Sequence, residues 1–179
     1  MIQANANSQL ASQSYLTFEV GGHCYAVNLK LIREVRALPS FTAVSHAPDY
    51  ILGVTSLRGE IVPIVDLRKR FSLSDSLQAQ QSNAKNSTLI LVTDIDSRRI
   101  AVTVDAVNDV IELSNDQLQA IPKTTMAIDL EYLLGMAQHG STVVLLIDVA
   151  KILTPSQLHE VRTSIQVSTN AAPQEVLPA

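Results

Sequence analysis

The sequence contains no Trp, 4 Tyr, 3 Phe and 1 Cys in 179 residues. So few ring faces leave little with which to build the stacking platforms that single-stranded nucleic acids require. Lys and Arg total 13 against 17 Asp and Glu, for a net charge of -4, the reverse of the basic footprint that a phosphate backbone selects. A single cysteine, Cys24, excludes an internal disulfide and fits a reducing compartment. The first basic residue is Lys30, so residues 1–29 lack the charged and apolar regions of a secretory signal. The longest purely apolar run is Val143–Ile147. A membrane span needs ~18 such residues. These absences lead us to expect a cytoplasmic protein with no nucleic-acid partner and no direct membrane insertion.

What the sequence does have is aliphatic residues: Leu 22, Val 18 and Ile 14, enough to build an aliphatic core. Their dominant period is two, the mark of half-buried strands. Tyr15–Val20 and His23–Val27 flank Gly21 and Gly22, a hairpin with glycines at the reversal. Val54–Leu57 and Ile61–Asp66 flank Arg58, Gly59 and Glu60, and Thr88–Thr93 and Arg98–Val104 flank a turn at 94–97. Arg33–Leu38, Val110–Leu113, Thr125–Leu130 and Ser141–Ile147 are further strand candidates, and Asn28 is placed to cap a short turn over Leu29–Ile32. Pro63 cannot donate to a ladder, which predicts an edge or bulged strand there. One helix is strongly signalled, with Thr154 as N-cap and Pro155 at its first position before Leu158, Val161 and Ile165. Residues 1–14 and 166–179 read as flexible tails, and 72–87 as a flexible linker with room for a short surface helix at 76–81.

The chain echoes itself. Tyr50, Leu52, Gly53 and Asp66 return as Tyr132, Leu134, Gly135 and Asp148, each displaced by 82 residues. This predicts two similar subdomains. Many short strands, few helices and a repeat point to a mainly β fold, small barrels or a sandwich, and not to a parallel α/β sheet.

Signs of catalysis are absent. His23, His46, His139 and His159 stand at unrelated spacings, and neither a metal-ligand motif nor a glycine-rich phosphate loop is present. Asp94 and Asp96 read as turn residues, and Cys24 as a structural thiol. No cofactor is expected. The stretch GVTSLRGEIVPIVDL over 53–67 stands out instead, because Arg58 at a hairpin turn between apolar strands is exposed on a rigid base.

That stretch, extended to GVTSLRGEIVPIVDLRKRF, resembles the signature of the CheW family of chemotaxis coupling proteins. YLTFEVGGHCYAV, IREVRAL, IAVTVDAVNDVIEL and EYLLGM carry the resemblance over roughly residues 15–158. It implies a non-enzymatic adaptor made of two SH3-like five-stranded β-barrels on a shared hydrophobic core with a C-terminal helix. The domain would span 15–165, with intertwined sub-barrels at about 15–71 and 88–150.

The implied partners are the helical hairpin tip of a chemoreceptor and the regulatory domain of a CheA-type histidine kinase. The protein would be a monomer alone and part of a larger array with them. By matching position, Leu29, Ile32 and Glu34 face the kinase, and Val35, Arg58, Leu89, Ala101, Val107 and Val110 bind the receptor. Ser56 stands where the family commonly has Asn, and Ala101 and Ala106 where it commonly has Gly. A twitching-motility or other non-flagellar system is equally compatible, and a purine-nucleotide-binding barrel is the alternative from a different functional class.

Overall fold

The computed structural model describes residues 12–73, 88–96, 98–122 and 130–170, with side chains to residue 164. Ten strands form two five-stranded sheets. β1 (Gln13–Val20), β2 (His23–Asn28), β3 (Ile32–Ala37), β4 (Ile51–Leu57) and β5 (Glu60–Val65) precede the short helix α1 (Leu67–Arg70). β6 (Leu89–Ile95), β7 (Arg98–Val104), β8 (Ala106–Leu113), β9 (Leu133–His139) and β10 (Thr142–Ile147) follow, then α2 (Val149–Ile152) and α3 (Pro155–Asn170).

The hairpins form where glycine chemistry places them. Val20 pairs with His23 around Gly21 and Gly22, whose φ values are 58° and 79°. Leu57 pairs with Glu60, so the second loop is only Arg58 and Gly59, at φ 52° and 82°. Two positive φ values in a two-residue loop match the twist of the flanking strands. Asn28 accepts from the Lys30 N–H, and Thr154 caps α3 reciprocally with Gln157.

The expected sub-barrel boundaries are not those of the molecule. One sheet runs β3-β6-β7-β5-β4 and the other β8-β1-β2-β10-β9. The first barrel is therefore the continuous stretch 32–104, and the second joins the N-terminal hairpin to the C-terminal strands. The reason lies in the two parallel ladders. β5 pairs with β7 through Ile64 and Ala101, and β10 pairs with β2 through Leu146 and Ala26. Each hairpin thus completes the other half's barrel. Isolated bridges, Thr42 to Val54 and Gln119 to Met136, return the chain from β3 and β8 to the far edge strands and close each ring.

Pro63 lies in a central strand, not at an edge. Its missing N–H is tolerated because the parallel ladder on β7 begins only at Ile64. β1 starts at Gln13, inside the expected tail, and α3 extends to Asn170. Most of the candidate strand at Thr125–Leu130 and the helix at 76–81 lie outside the described residues, while Leu130 opens a 3-10 turn.

Three apolar clusters fill the interior among the described residues. Leu57, Val62, Ile64, Ile90, Val92 and Ala101 fill the first barrel, and Tyr15, Ala26, Ile111, Leu113, Ala137, Val144 and Leu146 the second. A larger cluster lies between the barrels and is not purely aliphatic. Phe18, Tyr25, Phe71 and Tyr132 form a chain of rings with successive centroids 5.9, 5.4 and 5.7 Å apart. Most of the few aromatics are concentrated where the two barrels meet.

Candidate partner-binding site

Strand alternation decides which predicted residues share a face. Directly opposed residues of antiparallel strands point the same way. Val35 opposes Leu91, and Leu89 opposes Val104; Leu91 and Val104 belong to the shared core. On the second barrel, Val107 opposes Phe18 and Val110 opposes Leu16, again shared-core residues. Val35, Leu89, Val107 and Val110 therefore lie on the faces that the two barrels turn toward each other. Leu89 and Val107 are half-buried against that core, whereas Val35 and Val110 remain 42% and 51% exposed. Each barrel thus contributes an apolar pair beside the shared core, and these four positions are called the seam below.

A bulge in β8 at Asn108 and Asp109, opposite Thr17 of β1, shapes one wall. The Thr17 hydroxyl donates to the Asp109 carbonyl at 2.7 Å and accepts from the Asp109 N–H at 3.1 Å. This takes up the register shift between Leu16 and Phe18 and leaves both valines on the seam side.

Ala101 does not belong there. Ile100, Val102 and Val104 occupy the shared-core face of β7, so Ala101 points into the first barrel, opposite Val92, with no exposed surface. The expected kinase-facing set also divides. Ile32 packs toward the shared core, while a bulge between Ile32 and Glu34 turns Glu34 to the opposite side of β3, opposite Val92. Leu29 is exposed on the preceding turn.

Arg58 separates from the other receptor candidates and joins Glu34. Its Nη2 lies 3.4 Å from Glu34 Oε2, and Arg36 Nη1 lies 3.6 Å from Oε1. The Arg58 side chain is 84% exposed. Such pairs contribute about 0–1 kcal/mol, so their value lies in orientation rather than stability. Beside them, Asp94 bridges Arg33 at 3.0 Å and Arg99 at 3.7 Å, and Arg99 reaches Glu60 at 2.8 Å. The two turn aspartates thus hold arginines, Asp96 lying 3.6 Å from Arg98.

Among the described residues, no group of three or more His, Cys, Asp or Glu side chains could hold a metal. Burial pushes the Cys24 thiol up, with Glu19 adding to the effect, the opposite of what activates a nucleophile. Sequence reasoning did not single out exposed Ile61 and Val143, which lie 82 residues apart at matching positions of the two barrels. Each opens a run of consecutive apolar residues, where alternation does not show which face is outward.

Two closed five-stranded barrels packed back to back, with an apolar seam between them and a charged rim on one, define a double-barrel binding scaffold. A model of the CheW-like domain matches residues 14–157, and the chain belongs to this family, whose role is chemotaxis coupling. It is 32% identical over 151 residues to chemotaxis protein CheW of Klebsiella aerogenes, covering 84% of this chain and 87% of that one. With chemotaxis protein CheW of Rhizobium meliloti it shares 30% identity over 145 residues, 81% and 89% of the two chains. The crystal structure of scaffolding protein TtCheW from Thermoanaerobacter tengcongensis has the same fold, with a TM-score of 0.70 at 22% identity over 88% of this chain and 96% of that one.

Proposed function

We propose that this chemotaxis adaptor joins a chemoreceptor's helical hairpin tip to the regulatory domain of a CheA-type histidine kinase, with no catalytic step of its own. It would work from the cytoplasm, recruited to receptor arrays at the membrane. The observation that carries the receptor half is the seam: two half-exposed valines, Val35 and Val110, one on each barrel, beside Leu89 and Val107. An amphipathic helix laid in such a groove buries its apolar face against side chains that already have a packed base. Removing apolar area from water is worth ~25 cal/mol per Å², and only the surplus over ordering costs appears as affinity.

The kinase half rests on Leu29, Ile32 and Glu34, all on the turn and strand that open the first barrel. Glu34 and Arg58 form one charged rim, so Arg58 is better suited to the kinase side than to the receptor side that the resemblance implies. Holding two partners at once raises the effective concentration of each for the other, so both contacts can be modest.

Pull-down of a receptor-tip fragment and a kinase regulatory domain by purified variants tests this assignment. Val110→Asp should lose the receptor and keep the kinase, and Glu34→Arg should do the reverse. Unchanged capture of both partners by both variants would overturn the proposal.

A further inference from the structure

The internal repeat has a centre, and one residue there is charged in only one of the two copies. Tyr50 and Tyr132 lead into the two matching hairpins, and each carbonyl accepts at 2.8 Å from the aspartate N–H that caps the following helix, Asp66 or Asp148. The Arg70 guanidinium carbon lies between the two rings, 4.3 Å from the Tyr50 centroid and 4.8 Å from that of Tyr132. Arg70 Nε also donates to the Ile152 carbonyl at 2.9 Å. Residue 152 is the position 82 after residue 70, so Arg70 is bonded to its own repeat counterpart. Such a contact exists only beside the axis relating the two copies. A second arginine there would bring two like charges together, and fully buried Ile152 occupies the matching place.

From this geometry we infer that Arg70 is a positioning residue: clasped between one tyrosine from each barrel, it fixes the angle between the barrels and thereby the spacing of the seam's walls. A planar guanidinium presents a face to each ring and keeps an edge free to donate, which a lysine ammonium does not. The inference rests on the seam being the receptor site. Val35 and Leu89 stand on one barrel and Val107 and Val110 on the other, so a change of angle alters the receptor surface. Ile32 and Glu34 both lie on β3 of the first barrel, so this part of the kinase surface moves as one piece.

The test measures the angle and the binding separately. In a Cys24→Ser background, Ser56→Cys on the first barrel and Ser141→Cys on the second carry nitroxide labels, both positions being exposed. Pulsed electron resonance should give a narrow inter-label distance for this parent and for Tyr50→Phe, which keeps the ring. Arg70→Met and Arg70→Lys should shift or broaden it, and Tyr50→Leu, which removes one face of the clasp, should do so even if the arginine variants fold poorly. Affinity for the receptor-tip fragment should then fall about ten-fold with kinase affinity unchanged. A purely structural role would lower the melting temperature and leave the distance as it was. An unchanged distance in folded Arg70→Lys and Tyr50→Leu overturns the inference. A parent that never binds the receptor fragment would overturn the seam reading, while the distances alone would still decide whether Arg70 sets the angle.

Discussion

Tyr25 lies in the centre of the ring chain, fully buried, and its hydroxyl is the buried side-chain oxygen among the described residues that has no hydrogen-bond partner. A polar group left in that state costs ~1–3 kcal/mol. Tyr25→Phe should therefore leave the fold as stable or raise it by about 1 kcal/mol in urea unfolding, and a clear loss would mean the hydroxyl has a partner. Burial also raises the phenol well above its ordinary value of 10.0, so above that pH the unfolded chain releases a proton that the folded chain retains. Stability should fall as pH rises past 10, less steeply in Tyr25→Phe; Tyr50, raised by its own burial, keeps part of the slope. Gly53 is needed for a different reason. A Cβ there would run into the Thr42 carbonyl oxygen and lie 2.8 Å from Phe41 Cδ2, whereas at the matching Gly135 it would meet only the Gln119 carbonyl, at 3.1 Å. Gly53→Ala should cost ~1–3 kcal/mol in a melting experiment and Gly135→Ala distinctly less; equal costs would contradict this account.

At the scale of elements, the sequence made the hairpins legible because Gly-Gly and Arg-Gly reversals and period-two alternation are local signals. It did not show where the hairpins go. β1 and β2 precede the first barrel in the chain yet pair with β8 and β10, and β6 and β7 precede the last hairpin yet complete the first barrel. Two short parallel ladders carry this exchange, joining Ile64 to Ala101 and Tyr25 to Leu145, and no local pattern encodes partners so far apart in the chain. The same limit explains Ala101. Its position in a resembling stretch suggested a groove, but the pleat of β7 sends it inward. Native-state hydrogen exchange tests the exchange directly. Amides of β1 and β2 should open together with β8–β10, not with β3–β5. Opening of β1 and β2 in step with β3–β5 would show that the N-terminal half is the cooperative unit. The crossover between barrels is itself clamped, since Asp105 takes both Arg68 Nε at 3.0 Å and Nη2 at 2.7 Å and accepts from the Gly21 N–H at 2.7 Å. Asp105→Ala should bring forward the exchange of the β1–β2 turn.

For the whole molecule, the two barrels form one scaffold because their largest apolar cluster is shared, and the seam borders that cluster, with Leu89 and Val107 packed against it and Val35 and Val110 exposed beside them. Its walls were legible as apolar positions in the sequence, but their meeting was not, because one wall belongs to residues 35–89 and the other to 107–110 of a chain that crosses between barrels at Asp105. The central claim is that this seam receives a receptor's helical tip. The most direct measurement is a methyl-resolved NMR titration of the intact protein with a soluble receptor-tip fragment. The account predicts that the methyl signals of Val35, Leu89, Val107 and Val110 shift together with one dissociation constant, while those of Ile61 and Val143 stay in place. Shifts confined to Ile61, Leu134 and Val143, with the four seam residues unmoved, would contradict it.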